Sequence, residues 1–227
     1  MAKNCRDTNQ SSPETISEKI YIHLKDSILQ NKIGSRDRIH EQEIADLFEA
    51  SRTPVREAVM RLLAEGFLES TPYNGIIVKE MSSDRFLEIG EAMLILDKYA
   101  CREAIENFTE EDIQKLEEMT AEMEKYCSVK TLDKYIEANS NIHCFIWNSL
   151  KNKFFSEMII RSYENMHPSY RRMLSEQFNL NDAMLRKSVR IHQRLLEIFK
   201  NKETSKLNPL LNKHWDVATP ILSYRKL

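Results

Sequence analysis

The chain has 227 residues, of which 41% are hydrophobic and 30% charged, and its formal net charge is −2. This composition is ordinary for a globular protein and excludes collagen-like and disordered chains, while the charge excludes polyanion binding driven by bulk charge. The chain contains only 4 Gly and 6 Pro but 10 Met, and this composition favours a mainly α-helical fold. No stretch approaches the roughly 18 apolar residues of a membrane-spanning helix, and the start lacks the apolar centre of a signal peptide, so we expect a cytoplasmic protein without a membrane partner.

The first part of the chain shows three short helical patterns. Residues 1–11 are polar and without apolar periodicity, which predicts a flexible arm. Ser12 followed by Pro13 is typical of a helix start, and an apolar residue then recurs every four positions. Gly66 is suited to end the third helix in the left-handed conformation. The three predicted helices cover residues 13–31, 41–48 and 53–65.

A small hairpin is predicted directly after the third helix. Residues 67–71 and 76–79 are predicted strands, and the Asn74-Gly75 pair between them is expected to supply the positive φ angles of the turn. Three helices followed by a two-stranded hairpin is the element order of a winged helix-turn-helix, whose third helix enters the major groove of DNA. We therefore expect a DNA-binding domain over residues 12–80.

The start of the third helix has the composition of a DNA-contacting segment. It contains the run Ser51-Arg52-Thr53-Pro54-Val55-Arg56-Glu57-Ala58. Free N–H groups and the dipole at a helix start attract phosphate, and Arg52 and Arg56 share a face that can reach guanine edges. Residues 51–64 include three arginines and one glutamate, whereas residues 14–80 include nine Lys or Arg and twelve Asp or Glu. The positive charge is therefore local, and a homodimer that doubles the contacts becomes more necessary.

The run SRTPVREA, followed by LLAEGFLE and by a hairpin with Asn-Gly at its tip, resembles the GntR family of bacterial transcription regulators. The resemblance implies binding to double-stranded operator DNA, with the wing tip in the adjacent minor groove. Gln42 stands where some relatives have arginine, so it would bond a base or phosphate without charge. The implied DNA-binding residues are Arg38, Gln42, Ser51, Arg52, Thr53, Arg56, Asn74 and Gly75.

Beyond Ser83 the helical periodicity continues almost without turn residues as far as Leu222. This predicts a second domain over residues 84–227, an all-α bundle of six or seven helices that would bind an effector and form the dimer. Thr109, followed by three acidic residues, is suited to cap one of these helices. The predicted helices cover residues 84–107, 110–126, 131–150, 153–178, 182–201 and 203–222.

The helical part resembles the FCD-type sensing domain of the FadR branch of the family, and its six-helix count is closer to the VanR type. Many such domains hold a metal ion through an Asp-x-x-x-His pair on one helix and a histidine on each of two later helices. The matching residues here are Asn139, His143, His192 and His214. Imidazoles and one oxygen suit Zn²⁺ or Ni²⁺. Because Asn139 is neutral, we expect the site to stay near +2 and to bind metal less tightly than an aspartate would allow.

The resemblance also implies a small-molecule effector, an organic acid. The arginine with which relatives bind its carboxylate is replaced by Met93, and Arg171 and Arg172 are the candidate substitutes. One alternative is a regulator whose helical domain is only a ligand-free dimerisation scaffold. The other is a metal-dependent hydrolase, but the chain lacks an H-E-x-x-H motif, a nucleophile elbow and a placed general base. We therefore expect a regulator and not an enzyme.

Overall fold

The computed structural model describes residues 15–172 and 180–218, with the backbone alone for 167–172 and 217–218. The chain divides into two compact units between Met81 and Ser82. The fold is mainly α-helical with one small sheet, which confirms the predicted fold class. The N-terminal unit consists of α1 (Ile16–Leu29), α2 (Glu41–Leu47), α3 (Arg52–Glu65), β1 (Leu68–Thr71) and β2 (Gly75–Val78).

Helix α1 begins later than the sequence predicts. Its N-cap is Thr15, whose side chain accepts a hydrogen bond from the N–H of Glu18 at 3.2 Å. The predicted start at Ser12 is therefore wrong, since Thr15 has an extended backbone and caps the helix that begins at Ile16. Residues 12 and 13, like the predicted arm, lie outside the described residues.

The core of the N-terminal unit lies between α1 and α3, whose apolar faces are fully buried against each other. Gly66 ends α3 with a φ of 84°, and its N–H donates to the Leu62 and Leu63 carbonyls. This confirms the predicted left-handed end of the helix. Because α3 packs through Val55, Val59 and Leu62, its opposite face is left to solvent.

The wing is a short antiparallel hairpin in which Thr71 pairs with Gly75. Gly75 has a φ of 70°, but Asn74 does not share the positive φ that the sequence predicted for it. The reason is the longer loop: three residues, 72–74, connect the strands, and the N–H of Asn74 donates to Thr71 Oγ1 at 3.2 Å. A single left-handed residue, Gly75, is then sufficient to reverse the chain.

The C-terminal unit is all-helical, and the described part of it holds six α-helices and one short 3₁₀ turn, Val129–Thr131. Thr109 caps α5 in a reciprocal capping box with Asp112, which confirms the predicted start. The predicted ends at 178 and 222 lie outside the described residues. The helices are α4 (Ser83–Asn107), α5 (Glu110–Lys125), α6 (Leu132–Asn148), α7 (Lys153–Arg172), α8 (Asp182–Asn201) and α9 (Thr204–Ala218).

The packing of these helices encloses polar groups. Helix α4 contacts α6 and α9, while α8 contacts α5 and α9. Their buried faces are mostly apolar, yet they also bury Asp97, Asn139, His143, His192 and His214, each at most 5% exposed. None of the described helices is long and apolar enough to cross a membrane. The polar groups inside the bundle are therefore the feature of this unit that requires a chemical explanation.

Candidate DNA-binding surface and histidine cluster

The first turn of α3 is open to a ligand. Ser51 occupies the N-cap, but its hydroxyl makes no capping hydrogen bond within the described chain. Ser51, Arg52, Thr53 and Arg56 are all exposed. The hydroxyl of Ser51 and the free N–H groups of the first turn thus remain available, and this is the arrangement that binds phosphate oxygens at helix starts.

Arg52 and Arg56 of α3 are held by residues of α2. Arg52 Nε donates to Gln42 Oε1 at 2.8 Å, and Gln42 Nε2 donates to Asp46 Oδ1 at 2.8 Å. Arg56 Nε lies 3.3 Å from Glu41 Oε2. These bonds use the Nε atoms and leave the Nη atoms of each guanidinium for other acceptors. Gln42 therefore contributes to the surface by orienting Arg52.

The wing places two of the predicted residues together. Arg38 forms a bridge to Ile77 of β2, and a β-carbon at Gly75 would lie 3.5 Å from Arg38 Nη2. The Arg38 guanidinium thus lies against the glycine of the turn, while Asn74 is exposed beside it. Arg38, Asn74 and Gly75 form one positively charged wing tip.

Three histidines from three helices meet inside the C-terminal unit. His143 lies on α6, His192 on α8 and His214 on α9, and one ligand nitrogen from each lies within 4.8 Å of the others. The ring centroids are 4.8 to 5.4 Å apart. His143 Nε2 and His192 Nε2 are separated by 3.5 Å. We call these three residues the histidine cluster.

The protonation of the rings suits metal binding. His192 Nδ1 lies 2.9 Å from the carbonyl of Ser188, which can only accept, so Nδ1 carries the hydrogen and Nε2 presents its lone pair. Burial lowers the pKa of His143 to about 4, and burial together with His143 lowers the pKa of His192 to about 4. Burial, His192 and His143 bring the pKa of His214 well below its usual value. All three rings are therefore neutral near pH 7.

Two nitrogens of the cluster have no hydrogen-bond partner in the part of the chain that the structure describes. Nδ1 of His143 and Nδ1 of His214 are buried and make no hydrogen bond to any described residue. A buried polar atom without a partner costs free energy, and such atoms are rare in folded proteins. The cluster therefore has two ring nitrogens that no described residue uses.

Asn139 lies one helical turn before His143, as the predicted motif requires. It is buried; burial raises the pKa of the Tyr163 hydroxyl on α7, while the side chains of Ser140 and Asn139 lower it. Ser140 Oγ lies 2.9 Å from the same hydroxyl. Asn139 therefore interacts with Tyr163 and also lies one helical turn from His143.

Asp97 is the residue that the sequence analysis missed. It is fully buried in α4, and its Oδ1 lies 4.0 Å from His143 Nδ1. The expected charge of the site, near +2, did not include this carboxylate. Burial raises the pKa of the Asp97 carboxyl, against the hydrogen bonds from two indoles and a thiol. The available signal was an acidic residue at a helical position between the apolar residues Met93 and Cys101, each four residues away.

The predicted effector-binding residues are only partly described. The backbone of Arg171 and Arg172 belongs to α7, but their side chains lie outside the described residues. Met93, at the position of the missing arginine, is fully buried one turn before Asp97. A cation at this position of α4 is thus replaced by an apolar side chain next to a carboxylate.

Comparisons with known proteins cover both units. Residues 16–78 match the model of the bacterial regulatory proteins of the gntR family, and residues 88–217 match the FCD domain. The uncharacterized HTH-type transcriptional regulator YdhC of Bacillus subtilis is 26% identical over 92% of this chain and 93% of its own length. The HTH-type transcriptional regulator McbR of Escherichia coli is 25% identical over 86% of this chain and 87% of its own.

Two solved structures share the fold. The E. coli McbR/YncC structure has a TM-score of 0.80 at 22% identity and covers 95% of this chain and 100% of that chain. A GntR regulator from Rhodococcus sp. RHA1 has a TM-score of 0.73 at 16% identity, covering 91% of this chain and 97% of that one. At these identities the similarity concerns the fold alone.

Proposed function

Because the chain belongs to the gntR family of bacterial regulatory proteins and carries an FCD domain, it is a DNA-binding transcription regulator, and we propose that it acts as a homodimer whose helical unit binds a divalent metal ion and an organic acid. Its relatives and its fold are those of regulators and not of enzymes. The histidine cluster carries the proposal for the helical unit.

Operator DNA is proposed to bind across α3 and the wing. Ser51 and Thr53 would contact phosphate, Arg52 and Arg56 would reach base edges in the major groove, and the wing tip would enter the minor groove. The support is the exposure on one unit of the side chains of α3 and of Arg38 and Asn74 at the wing tip, together with the orientation of Arg52 by Gln42. Residues 51–64 are positively charged, whereas residues 14–80 as a whole carry a net negative charge. This distribution favours specific over non-specific DNA binding.

The residues of the helical unit fit a divalent metal ion. Two nitrogens bound to one tetrahedral zinc at about 2.0–2.1 Å are about 3.3–3.4 Å apart, and His143 Nε2 and His192 Nε2 are separated by 3.5 Å. His192 donates its other ring N–H to a backbone carbonyl, the usual support of a metal-binding histidine. His143, His192 and His214 would hold the ion, with the amide oxygen of Asn139 as a candidate fourth ligand. When bound, Zn²⁺ or Ni²⁺ would supply a positive centre for an effector carboxylate.

An apolar patch on the helical unit supports the homodimer. Ile95 and Tyr99 on α4 are 70% and 50% exposed, and Phe154 and Met158 on α7 are 77% and 38% exposed. The rings of Tyr99 and Phe155 lie 4.7 Å apart, so the two helix faces are continuous. Contiguous exposed apolar groups mark interfaces, and a twofold axis pairs such a patch with itself. A second copy of this chain is the partner that we assign to it.

The metal proposal is tested by calorimetric titration of the metal-stripped protein with Zn²⁺. We expect the wild type to bind and His192→Ala to bind more than about a hundredfold less tightly, beyond the effect of changes around a site. His40→Ala, at an exposed histidine of the N-terminal unit, is the matched control and should bind as the wild type does. Equal zinc affinity in wild type and His192→Ala would overturn the metal site and favour the ligand-free scaffold.

The dimer is tested by sedimentation of the full chain at micromolar concentration. Phe154→Glu should shift the protein to monomer, because it places a charge at the most exposed apolar side chain of the patch. Gln114→Glu adds the same charge at an exposed position of α5, outside the patch, and this variant should remain dimeric. A dimer that survives Phe154→Glu contradicts the assigned interface, and a monomeric wild type contradicts the dimer itself.

A further inference from the structure

The only two tryptophans of the chain bind the same carboxylate. Trp147 Nε1 donates to Asp97 Oδ1 at 2.9 Å, and Trp215 Nε1 donates to Asp97 Oδ2 at 3.1 Å. Each oxygen thus accepts one indole N–H. Both indoles and the carboxylate are at most 2% exposed. Such a two-sided hydrogen bond in a dry core has a defined geometry and is costly to disturb.

These two hydrogen bonds end next to two members of the histidine cluster. Trp147 lies one helical turn after His143 on α6, and the two rings are 5.2 Å apart. Trp215 directly follows His214 on α9, with rings 5.7 Å apart. The carboxylate on α4 therefore connects the helices that carry His143 and His214, and His143 Nδ1 lies 4.0 Å from Asp97 Oδ1.

An apolar core would be a cheaper way to join these helices. Burying a carboxylate costs free energy even when it is hydrogen-bonded, and apolar replacements of buried polar groups are often neutral or stabilising. The unfavourable burial of the Asp97 carboxylate is explained if the position and orientation of its neighbours matter. The neighbours that matter chemically are the histidines, whose nitrogens must be held within about 0.5 Å of the positions that bind one ion.

We infer that Asp97 is a positioning residue for the histidine cluster, acting through Trp147 and Trp215 to hold α6 and α9 so that His143 and His214 face His192. The inference rests on the proposed metal site. Asp97 orients the residues that would bind the ion and is not itself placed among the three that share the cluster. Its role corresponds to that of the outer groups around metal sites, whose replacement costs about tenfold to a hundredfold in affinity.

The test measures Zn²⁺ affinity of the metal-stripped full chain by calorimetry. Asp97→Asn should bind about tenfold to a hundredfold less tightly than the wild type, because an amide cannot accept from both indoles in the same way. Trp147→Phe keeps an aromatic six-membered ring but removes the pyrrole ring with its N–H, and it should weaken binding in the same direction. Glu88→Gln, an exposed carboxylate on the same helix, is the matched control and should leave the affinity unchanged.

A double-mutant cycle and fluorescence separate positioning from general stability. If Asp97 acts through Trp147, the double variant should lose less affinity than the sum of the single losses. Because both tryptophans donate to Asp97, tryptophan emission reports on the surroundings of this carboxylate, and Zn²⁺ should change the tryptophan emission of the wild type more than that of Asp97→Asn. A purely structural role would lower stability to urea in metal-free buffer and leave both zinc readouts unchanged.

The outcomes distinguish this inference from the metal site itself. If His192→Ala loses zinc binding while Asp97→Asn and Trp147→Phe stay within about twofold of the wild type, the site stands and the positioning role is overturned. If His192→Ala binds as the wild type does, the site and the inference both fail. Should Asp97→Asn not fold, as judged by far-ultraviolet circular dichroism, the affinity of Trp147→Phe decides.

Discussion

The two units place their functional residues in opposite ways. In the N-terminal unit the proposed contacts of α3 lie within six consecutive residues, 51–56, and all that reach outward are exposed. In the helical unit the three histidines come from three helices and their support adds a fourth, α4, with Asp97 and Trp215 separated by 118 positions in sequence. A large rigid ligand such as DNA needs a surface, whereas a small ion needs an enclosed site, and helix packing creates that site.

The same difference governs what a substitution costs. Exposed side chains can be replaced with little change in stability, so a loss there is a loss of binding alone. Buried polar groups contribute to the fold and to the site at once, and their replacement affects both. This contrast can be broken or sharpened by three measurements, taken from the largest expected effect to the smallest.

The largest effect is expected at a buried charged pair in the N-terminal unit, which is the exception to this contrast. Glu65 at the end of α3 accepts from Tyr21 at 2.8 Å and from Lys25 and Arg61 at 3.4 Å each. Lys25 is 1% exposed, so removal of the carboxylate leaves a buried ammonium. Glu65→Ala should lower the unfolding free energy of this unit by about 3 kcal/mol, measured by hydrogen exchange of the α3 amides.

Glu57→Ala is the control for this experiment, because Glu57 lies on the exposed face of the same helix. Its effect on the unfolding free energy should stay within about 0.5 kcal/mol. Equal protection of the α3 amides in both variants would mean that the buried ion pair does not hold α1 and α3 together.

The second prediction concerns the exposed arginines. Arg52→Ala and Arg56→Ala should each weaken operator binding by about 1–3 kcal/mol if they read bases, without a change in unfolding free energy. Gel shifts with binding sites selected from genomic fragments give the affinity. Lys19→Ala removes an exposed cation from α1 and should leave sequence-specific binding intact. Specific binding that survives both arginine replacements contradicts the proposed recognition helix.

The smallest effect is expected at Asn139. Asn139→Asp should bind Zn²⁺ about tenfold more tightly, since a carboxylate is the better ligand for a divalent ion. The gain is limited because Asp97 already places a carboxylate 4.0 Å from His143 Nδ1. Asn141→Asp adds the same charge two residues away on α6 and isolates the general electrostatic contribution. Equal zinc affinity of the two variants, by calorimetry, would remove residue 139 from the site.

Much of this protein was predictable because the signals are local. The run from Ser51 to Ala58, the glycine that ends α3 and the threonine that caps α5 each act over one helical turn, and the structure has helix boundaries within a few residues of those predicted. Local competition also explains the misses. Thr15 caps α1 in place of Ser12, and a three-residue wing loop made a positive φ at Asn74 unnecessary.

The sequence by itself determined the element order, the family resemblance and the three histidines on separate helices. Only the tertiary structure decided that those rings meet, that two of their nitrogens lack partners among the described residues, and that Asp97 lies beside them and binds both tryptophans. The physical reason is that periodicity shows which face of a helix is buried but not which faces of other helices meet it. The role of the buried Asp97 depends on its hydrogen bonds with residues 50 and 118 positions away in sequence.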